Sequence, residues 1–450
     1  MELNLNLTKE QIISAVKDSP NPKVKVAITD LDGVLRGKYL HKNKFLSILE
    51  SGLGFCDVIF GWDINDNAYD NSEFTGWHTG YPDANATLDL STFRKVPWDN
   101  DVPFFLGDFN NDICPRNLLR KIKSESLQLG FKPFFGQEFE WFNFRETAEK
   151  LHEKNFNNPT PLTPGMFGYS ILRMAKNNDF LNDIYDLMYK FNVPIEGLHT
   201  ETGPGVLEAA ILYGDVLESA DRAVLFKSGV REIGLRYGIM PTFMAKIDEK
   251  LPGCSGHIHQ SLRDDKRNIF YDEKSKTKMS SLMESYIAGL LHCMPFVLPM
   301  YAPTINSFKR LVEGAWAPTT ITWGIDNRTT CVRALPGSSQ STRIELRVVG
   351  SDANPYLAHA AALASGLYGI KNNLKLNIAK TEGNGYRDIK NGVLPKNLWE
   401  ATQAMKTSEV AMEIFGEKFV KHFTSTREWE WRQHAKSVTD WEFKRYFEIV

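Results

Sequence analysis

Four short stretches of this 450-residue chain set acids, imidazoles and guanidiniums at alternate positions. GFKPFFGQEFEWFNF carries Glu138 and Glu140, and LHTETGPGVLEAAI carries Glu201 and Glu208 on either side of a Gly-Pro-Gly turn. CSGHIHQSL carries His257 and His259, with Ser261 two further on, and STRIELRVVG alternates Arg343, Glu345 and Arg347 with Ile344, Leu346 and Val348. Successive strand residues point to opposite faces, so a spacing of two collects the polar groups on one face. Two carboxylates roughly 7 Å apart on such a face repel unless a cation or water stands between them.

Each stretch alone has an ordinary explanation: a solvated strand edge, an exposed turn, core histidines held by backbone groups, an ion-pair ladder. Together they set five carboxylates and a histidine around one interior, a repulsion that divalent cations remove. An oxygen-rich donor set with one or two imidazoles and no thiolate suits Mg²⁺ or Mn²⁺ better than zinc. Such ions neutralise nucleotide phosphates while arginines hold the transferring phosphoryl group, and Arg310, Arg328, Arg333, Arg343 and Arg347 follow in order. No GxxxxGK[ST] loop and no kinase signature occurs, so neither device holds the nucleotide.

These residues need strands to carry them and helices to back the strands. KVKVAITDLDGVLRGKYL (23–40) reads as a hairpin turning at Asp32-Gly33, and short strands follow to about residue 110. GWHTGYPDANATLDL (76–90) reads as a polar surface excursion. Helical periodicity marks 165–192, 215–236, 277–295, 354–372, 397–406 and 407–422, and one boundary is placed near residue 112. The N-terminal MELNLNLTKEQIISAVKD lacks the basic start and apolar run of a signal peptide and reads as a helix capped by Thr8. YIAGLLHCMPFVLPMYA, broken by His292 and two prolines, reads as a buried helix rather than a membrane span. A net charge of −2 gives no footprint for nucleic acid, and five scattered cysteines without CxxC spacing suit a reducing cytoplasm.

The order of motifs (ExE, E-GPG-E, HxHxS, NSxKRL, NR then R, RIExR then ANPYL) resembles the glutamine synthetase family over nearly the whole chain, and TDLDGVLRGK and VTDWEFKRYF resemble its two ends. The resemblance implies an α+β fold: an N-terminal β-grasp domain (1–112) on a catalytic domain (113–450) built round a curved antiparallel sheet flanked by helices. It implies a cytoplasmic homo-oligomer, a dodecamer of two hexameric rings, that uses glutamate, ATP and ammonia or an amine with two or three Mg²⁺ or Mn²⁺ per site. Carried over by position, Glu140, Glu201 and Glu208 would hold the metal nearer glutamate, and Glu138, His257 and Glu345 the metal on the nucleotide. His259, Ser261, Arg333 and Arg343 would meet ATP. Arg310 would hold the substrate carboxylate and Gly253 would also bind substrate, Arg328, Arg333 and Arg347 would clamp phosphate, and Asp30 would reach a neighbouring subunit's site.

Three departures matter. Trp316 stands where true glutamine synthetases carry the glutamate that helps bind and deprotonate ammonium, and Val206 replaces a glutamine. Tyr386 in NGYRDIK is only a loose match to the family's adenylylation tyrosine. An apolar surface with one N–H donor suits an organic amine better than a hydrated NH₄⁺, by contact and cation–π attraction. The expectation is therefore a γ-glutamylamine or γ-glutamylpolyamine ligase, with ammonia-using glutamine synthetase and a non-catalytic, lengsin-like assembly protein as alternatives.

Overall fold

In the computed structural model, which describes residues 7–450, the chain builds two sheets in succession. The first holds β1 (Lys23–Thr29), β2 (Leu35–His41), β3 (Leu53–Cys56), β4 (Asp83–Leu88), β5 (Arg94–Val96) and β6 (Val102–Phe109), in the order β2-β1-β6-β4-β3 with β5 on β6. The central pair β1 and β6 is parallel and the other pairs are antiparallel, as a β-grasp requires. Helix Lys42–Ser51 packs on this sheet through Phe45, which stacks on Phe105 at 4.8 Å. The Thr8 cap forms, as a reciprocal box with Gln11. The hairpin forms too: Asp30 Oδ1 accepts from the N–H groups of Asp32 (3.0 Å) and Val34 (2.9 Å), and Gly33 takes φ +81°, open at little cost only to glycine. The expected excursion at 76–90 is corrected in its second half, because Ala84, Ala86 and Leu88 alternate with polar residues and let β4 pair between β3 and β6.

The second sheet holds β7 (Lys132–Phe144), β8 (Ile195–Thr200), β9 (Val206–Ile211), β10 (Gly214–Asp215), β11 (Met240–Thr242), β12 (Ile258–Arg263), β13 (Trp323–Ile325), β14 (Val332–Leu335) and β15 (Arg343–Leu346). Its order is β13-β14-β15-β12-β7-β9-β8, with β10 and β11 also on β7. β13 and β14 run parallel and the remaining pairs antiparallel. The 13-residue β7 joins the two halves. Phe135, Phe139 and Trp141 on one of its faces are fully buried, against Phe226 of helix Val216–Arg236 and His359 of helix Pro355–Lys371. That apolar backing fixes the opposite face, where Glu138 and Glu140 stand.

Behind the sheet, helices Ser281–Tyr301 and Pro355–Lys371 cross in near-backbone contact: a Cβ on Gly289 would lie 2.2 Å from the Ser365 carbonyl, and one on Gly369 2.1 Å from that of Ser285. Ser281–Tyr301 is long and apolar enough to cross a membrane by length and composition, and most of its side chains are buried in this core. It runs six residues beyond the expected end, through Pro295 and Pro299, since Val297, Leu298 and Met300 continue its buried face. Two other helices differ from expectation. The 165–192 pattern becomes helical only at Ile171 and divides into Ile171–Lys176 and Asn178–Lys190, because the residues before it are tied to the end of β8, with the Tyr169 N–H on the Thr200 carbonyl at 2.7 Å and the Ser170 N–H on the Thr200 hydroxyl at 2.7 Å. The 407–422 pattern divides at Gly416, φ +85°, into Glu409–Phe415 and Glu417–Lys436. Polar clasps join the two sheets' surroundings: Asn354 Nδ2 donates to the carbonyls of Asp30 and Leu31, and Arg427 pairs with Asp32 at 2.7 Å.

Candidate active site

The register of the second sheet assembles the site in rows. Across one row, Arg333 on β14 faces Glu345 on β15, which faces His259 on β12 and then Gly136 on β7. One step along, the Glu138 N–H bonds the His257 carbonyl at 2.9 Å, with the small Ala210 of β9 on Glu138's other side. In the next row Glu140 faces Glu208 on β9, which faces His199 on β8. Glu138, Glu140, Glu208, His259 and Glu345 therefore share one sheet face.

The side chains gather into two groups whose ligand atoms lie within 4.8 Å of one another: Glu138, His259 and Glu345, and His199, Glu201 and Glu208. His257 stands between Glu345 (3.3 Å) and Glu138 (3.8 Å), next to the first group. Glu140 Oε2 accepts the Ser255 N–H at 2.7 Å, so this carboxylate lies beside the second group rather than in it. The grouping differs from the expected ligand sets by these two exchanges, of His259 for His257 and of His199 for Glu140. His199 was missed, although its spacing of two from Glu201 in LHTE is the same signal that marked the other pairs. Tyr169, stacked on His199 at 4.5 Å between ring centroids, gave no sequence signal of its own.

Electrostatics bear out the crowding. Burial, then Glu140, Glu138 and the other carboxylates, push Glu208 up to about 9. Burial alone would raise Glu345 as well, but His257, Arg347, His259 and Arg333 outweigh it and hold this carboxyl at about 2. Burial and Arg347 push His257 down, favouring the neutral ring that binds metals. His257 Nε2 and Glu201 Oε2 are buried with no hydrogen-bond partner, and His259 Nε2, 3.1 Å from Glu138 Oε1, lacks hydrogen-bond geometry. Orphaned ligand atoms amid mutually repelling carboxylates fit divalent cations.

The arginines divide between holding the site and facing it. Arg333 pairs with Glu345 (2.7 Å) and Asp326, and Arg347 reaches Glu345, the Arg328 carbonyl (2.9 Å) and the Trp316 carbonyl (3.4 Å). Arg328 is exposed on the loop after β13. Arg310 is 2% exposed and donates to the carbonyls of Val348 (3.0 Å) and Arg347 (3.1 Å). Gly253 packs against it, where a Cβ would come 2.6 Å from Arg310 Cγ. Trp316 takes φ +58° and is 61% exposed, with its carbonyl accepting from Arg347. Beside Glu138 a cavity of about 320 Å³ is lined by His259, Ser261 and Arg343, with Phe134 and Tyr213 on its apolar side. Arg343 Nε donates to His259 Nδ1 at 3.1 Å.

Asp30 lies in the first sheet's hairpin. It is 3% exposed, its Oδ2 is paired with Arg36 at 2.8 Å and its Oδ1 caps two backbone N–H groups of its own hairpin. Both oxygens hold the hairpin of their own chain, so Asp30 fixes this turn.

Residues 112–446 match the family described as glutamine synthetase, catalytic domain. The chain is 51% identical over 460 residues to type-1 glutamine synthetase 2 of Dictyostelium discoideum, covering 100% of this chain and 88% of that protein. It is 35% identical over 437 residues to the glutamate–isopropylamine ligase of a Pseudomonas species, covering 95% of each. Among solved structures, GmaS in complex with ADP superposes with a TM-score of 0.84 at 26% identity, over 97% of this chain and 99% of that one.

Proposed function

Because this chain belongs to the glutamine synthetase family, we propose that it is an ATP-dependent carbon–nitrogen ligase that joins the γ-carboxylate of glutamate to an amine. The observation that carries the reading is the pairing of two carboxylate–imidazole groups with an adjoining cavity on one sheet face, flanked by arginines. The relative that acts on isopropylamine supports an organic amine as acceptor.

In this reading an oxygen of the glutamate γ-carboxylate attacks the γ-phosphorus of ATP and ADP departs. The amine nitrogen then attacks the acyl carbon of γ-glutamyl phosphate, the C–O bond to phosphate breaks, and the nitrogen gives its surplus proton to the departing phosphate. When bound, Mg²⁺ or Mn²⁺, two or three per site, supplies positive charge to the phosphate oxygens; Glu138, His257, His259 and Glu345 hold one position and Glu140, Glu201, Glu208 and His199 the other. Ser261 and Arg343 line the nucleotide's cavity. Arg347, fixed by Glu345, and the exposed Arg328 stabilise the moving phosphoryl group, and Arg333 orients Glu345. Arg310, seated by Gly253, orders the backbone at Arg347 and Val348 and meets the glutamate carboxylate. Trp316 presents apolar area to the carbon-bearing end of the amine. A boundary near residue 112, a dodecamer of two hexameric rings and a cytoplasmic setting belong to the same reading.

Ammonia as the acceptor is the second reading, favoured by the 51% identity to a protein named as a glutamine synthetase. Phosphate release with ATP, Mg²⁺ and glutamate, across ammonium, methylamine, isopropylamine, ethanolamine and polyamines, separates the two. A higher kcat/KM for an organic amine supports the first; ammonium used as well as any amine replaces it with the second.

A further inference from the structure

The turn at 350–353, shortly after β15, is bonded on several sides. The Gly350 N–H meets the Tyr301 carbonyl at 3.0 Å, and the Ser351 N–H meets the Cys254 carbonyl at 3.1 Å. Ser351 Oγ donates to the Glu140 carbonyl on β7 at 2.7 Å. From behind the sheet, the buried Lys227 ammonium donates to the carbonyls of Ser351 (2.8 Å) and Ala353 (3.2 Å). A lysine sealed between Phe139 and Phe243 needs such acceptors, since an unpaired buried charge is costly. The turn is therefore fixed to the strand that carries Glu138 and Glu140.

From this turn Asp352 reaches the helix Ile305–Arg310, which ends on Arg310. Its Oδ2 accepts the Ser307 hydroxyl at 2.6 Å and the Thr304 hydroxyl at 2.9 Å. The same two hydroxyls close the helix's reciprocal cap: Thr304 Oγ1 accepts the Ser307 N–H at 3.1 Å, and Ser307 Oγ accepts the Thr304 N–H at 3.0 Å. A hydroxyl has one proton and an ionised carboxylate only accepts, so Asp352 takes both protons and leaves lone pairs facing the two backbone groups. Burial raises this carboxyl, and the two hydroxyls and Lys227 counter it. Asp352 Oδ1 lies over Gly350, where a Cβ would come 2.4 Å from it, so a side chain at 350 would displace the acid. Burial also weighs against the charge of Arg310, which Glu140 and Asp352 support against Arg347.

We propose that Asp352 is a positioning residue: by fixing the cap of helix Ile305–Arg310 to the turn that holds the Glu140 carbonyl, it sets where Arg310 meets the glutamate carboxylate. The inference rests on the reading of Arg310 given above and adds what aims it. A helix of 6 residues has little stability of its own, so the direction of Arg310 depends on the helix's anchors. Asp352 is one; the other is Asn306, paired reciprocally with the Lys246 backbone at 2.9 and 2.8 Å. Two N–H groups of Arg310 are engaged by the carbonyls of Val348 and Arg347, and the rest of its fork is left for the substrate.

The test is phosphate release by the full chain with Mg²⁺ and a saturating amine, glutamate and ATP being varied in turn, in Asp352→Ala, Asp352→Asn, Thr304→Val and Arg310→Lys. Asp352→Ala should raise KM for glutamate about tenfold while KM for ATP stays within about twofold. Asp352→Asn, whose amide oxygen can stand in the place of Oδ2 and accept both hydroxyls, should bring KM for glutamate back to within about threefold of wild type. Thr304→Val removes one of the two bonds without touching the turn and should raise KM for glutamate about threefold; it is decisive if Asp352→Ala does not fold. With Arg310→Lys still raising KM for glutamate, any of three results overturns the proposal: an unchanged KM for glutamate in folded Asp352→Ala or in Thr304→Val, a rise in KM for both substrates together, or an Asp352→Asn no better than Asp352→Ala. If Arg310→Lys also leaves KM for glutamate unchanged, the reading of Arg310 falls and the proposal falls with it.

Discussion

Replacing Glu345 by glutamine removes one charge from the most heavily paired position in the site and leaves its shape nearly unchanged. The carboxylate is 1% exposed, receives Arg333 at 2.7 Å and Arg347 from the adjoining position, and has His257 at 3.3 Å. Its carboxyl is held at about 2 against an ordinary 4.5, which corresponds to about 3 kcal/mol of stabilisation once the group is ionised. The figure agrees in order with the roughly 3–5 kcal/mol lost when one partner of a buried ion pair is removed. For a chain of this length that is a fall in Tm of about 4 °C. A depressed carboxyl contributes fully above about pH 4.5 and loses its contribution as pH falls toward 2, so the Tm gap between wild type and Glu345→Gln should be constant from pH 6 to 8 and close below pH 4.5. Paired melts across that range, with phosphate release titrated against Mg²⁺ at pH 7.5, check both parts. Turnover should drop at least a hundredfold and demand more Mg²⁺. A variant that melts within 1 °C of wild type and turns over within twofold at saturating Mg²⁺ refutes the assignment of Glu345 to the metal and to the arginine pair together.

Trp316→Glu should move the ratio of kcat/KM for the best amine over ammonium downward by about five- to thirtyfold, the worth of one or two buried methylenes, as measured by competition between the two nucleophiles. Gly253→Ala should raise KM for glutamate about tenfold with little change in KM for ATP, because the new methyl meets the Ala245 carbonyl at 2.5 Å and displaces Arg310. Asp30→Ala should lower the urea midpoint by an amount equivalent to about 2 kcal/mol while kcat at 20 °C stays within twofold; a hundredfold loss of kcat in a well-folded variant would give Asp30 a catalytic role besides the turn. Lys227 is fully buried and pushed down to about 7, so the folded chain binds fewer protons there than the unfolded one between pH 7 and 10.5. Stability should therefore rise by on the order of 2 kcal/mol from pH 7 to 9, and Lys227→Met should flatten that part of the urea-midpoint profile.

The period-two placement of acids was legible because a strand fixes side-chain direction within a few residues. Glu138, Glu208 and Glu345 follow from local spacing alone, since their strands have one apolar face that must be buried. The identity of neighbours across strands is a different matter. His259 meets Glu345, 86 residues on, through a register that no local pattern encodes, whereas His199 meets Glu208 across the tight Gly-Pro-Gly turn. Asp30 shows the same limit at a turn. TDLDG carries an acid at a turn in a familiar setting, but whether that acid faces outward or caps its own backbone depends on Arg36 and Val34, whose approach exists only once the hairpin has closed. Helix ends at 171 and 416 were lost for a related reason: glycine and proline mark a break without saying on which side of it the helix resumes.

The position of β7 has a consequence for how this protein can change over time. One uninterrupted strand supplies an acid to each carboxylate–imidazole group, Glu138 within one and Glu140 beside the other, and it pairs on both edges. Point substitutions can therefore adjust either position separately. A single-residue insertion or deletion within the strand cannot: it would turn both acids toward helix Val216–Arg236 and bring Phe139 to the reacting face. Lineages descended from this architecture are accordingly free to lengthen the loops around the cleft, where acceptor choice is made, while the length of this one segment stays frozen.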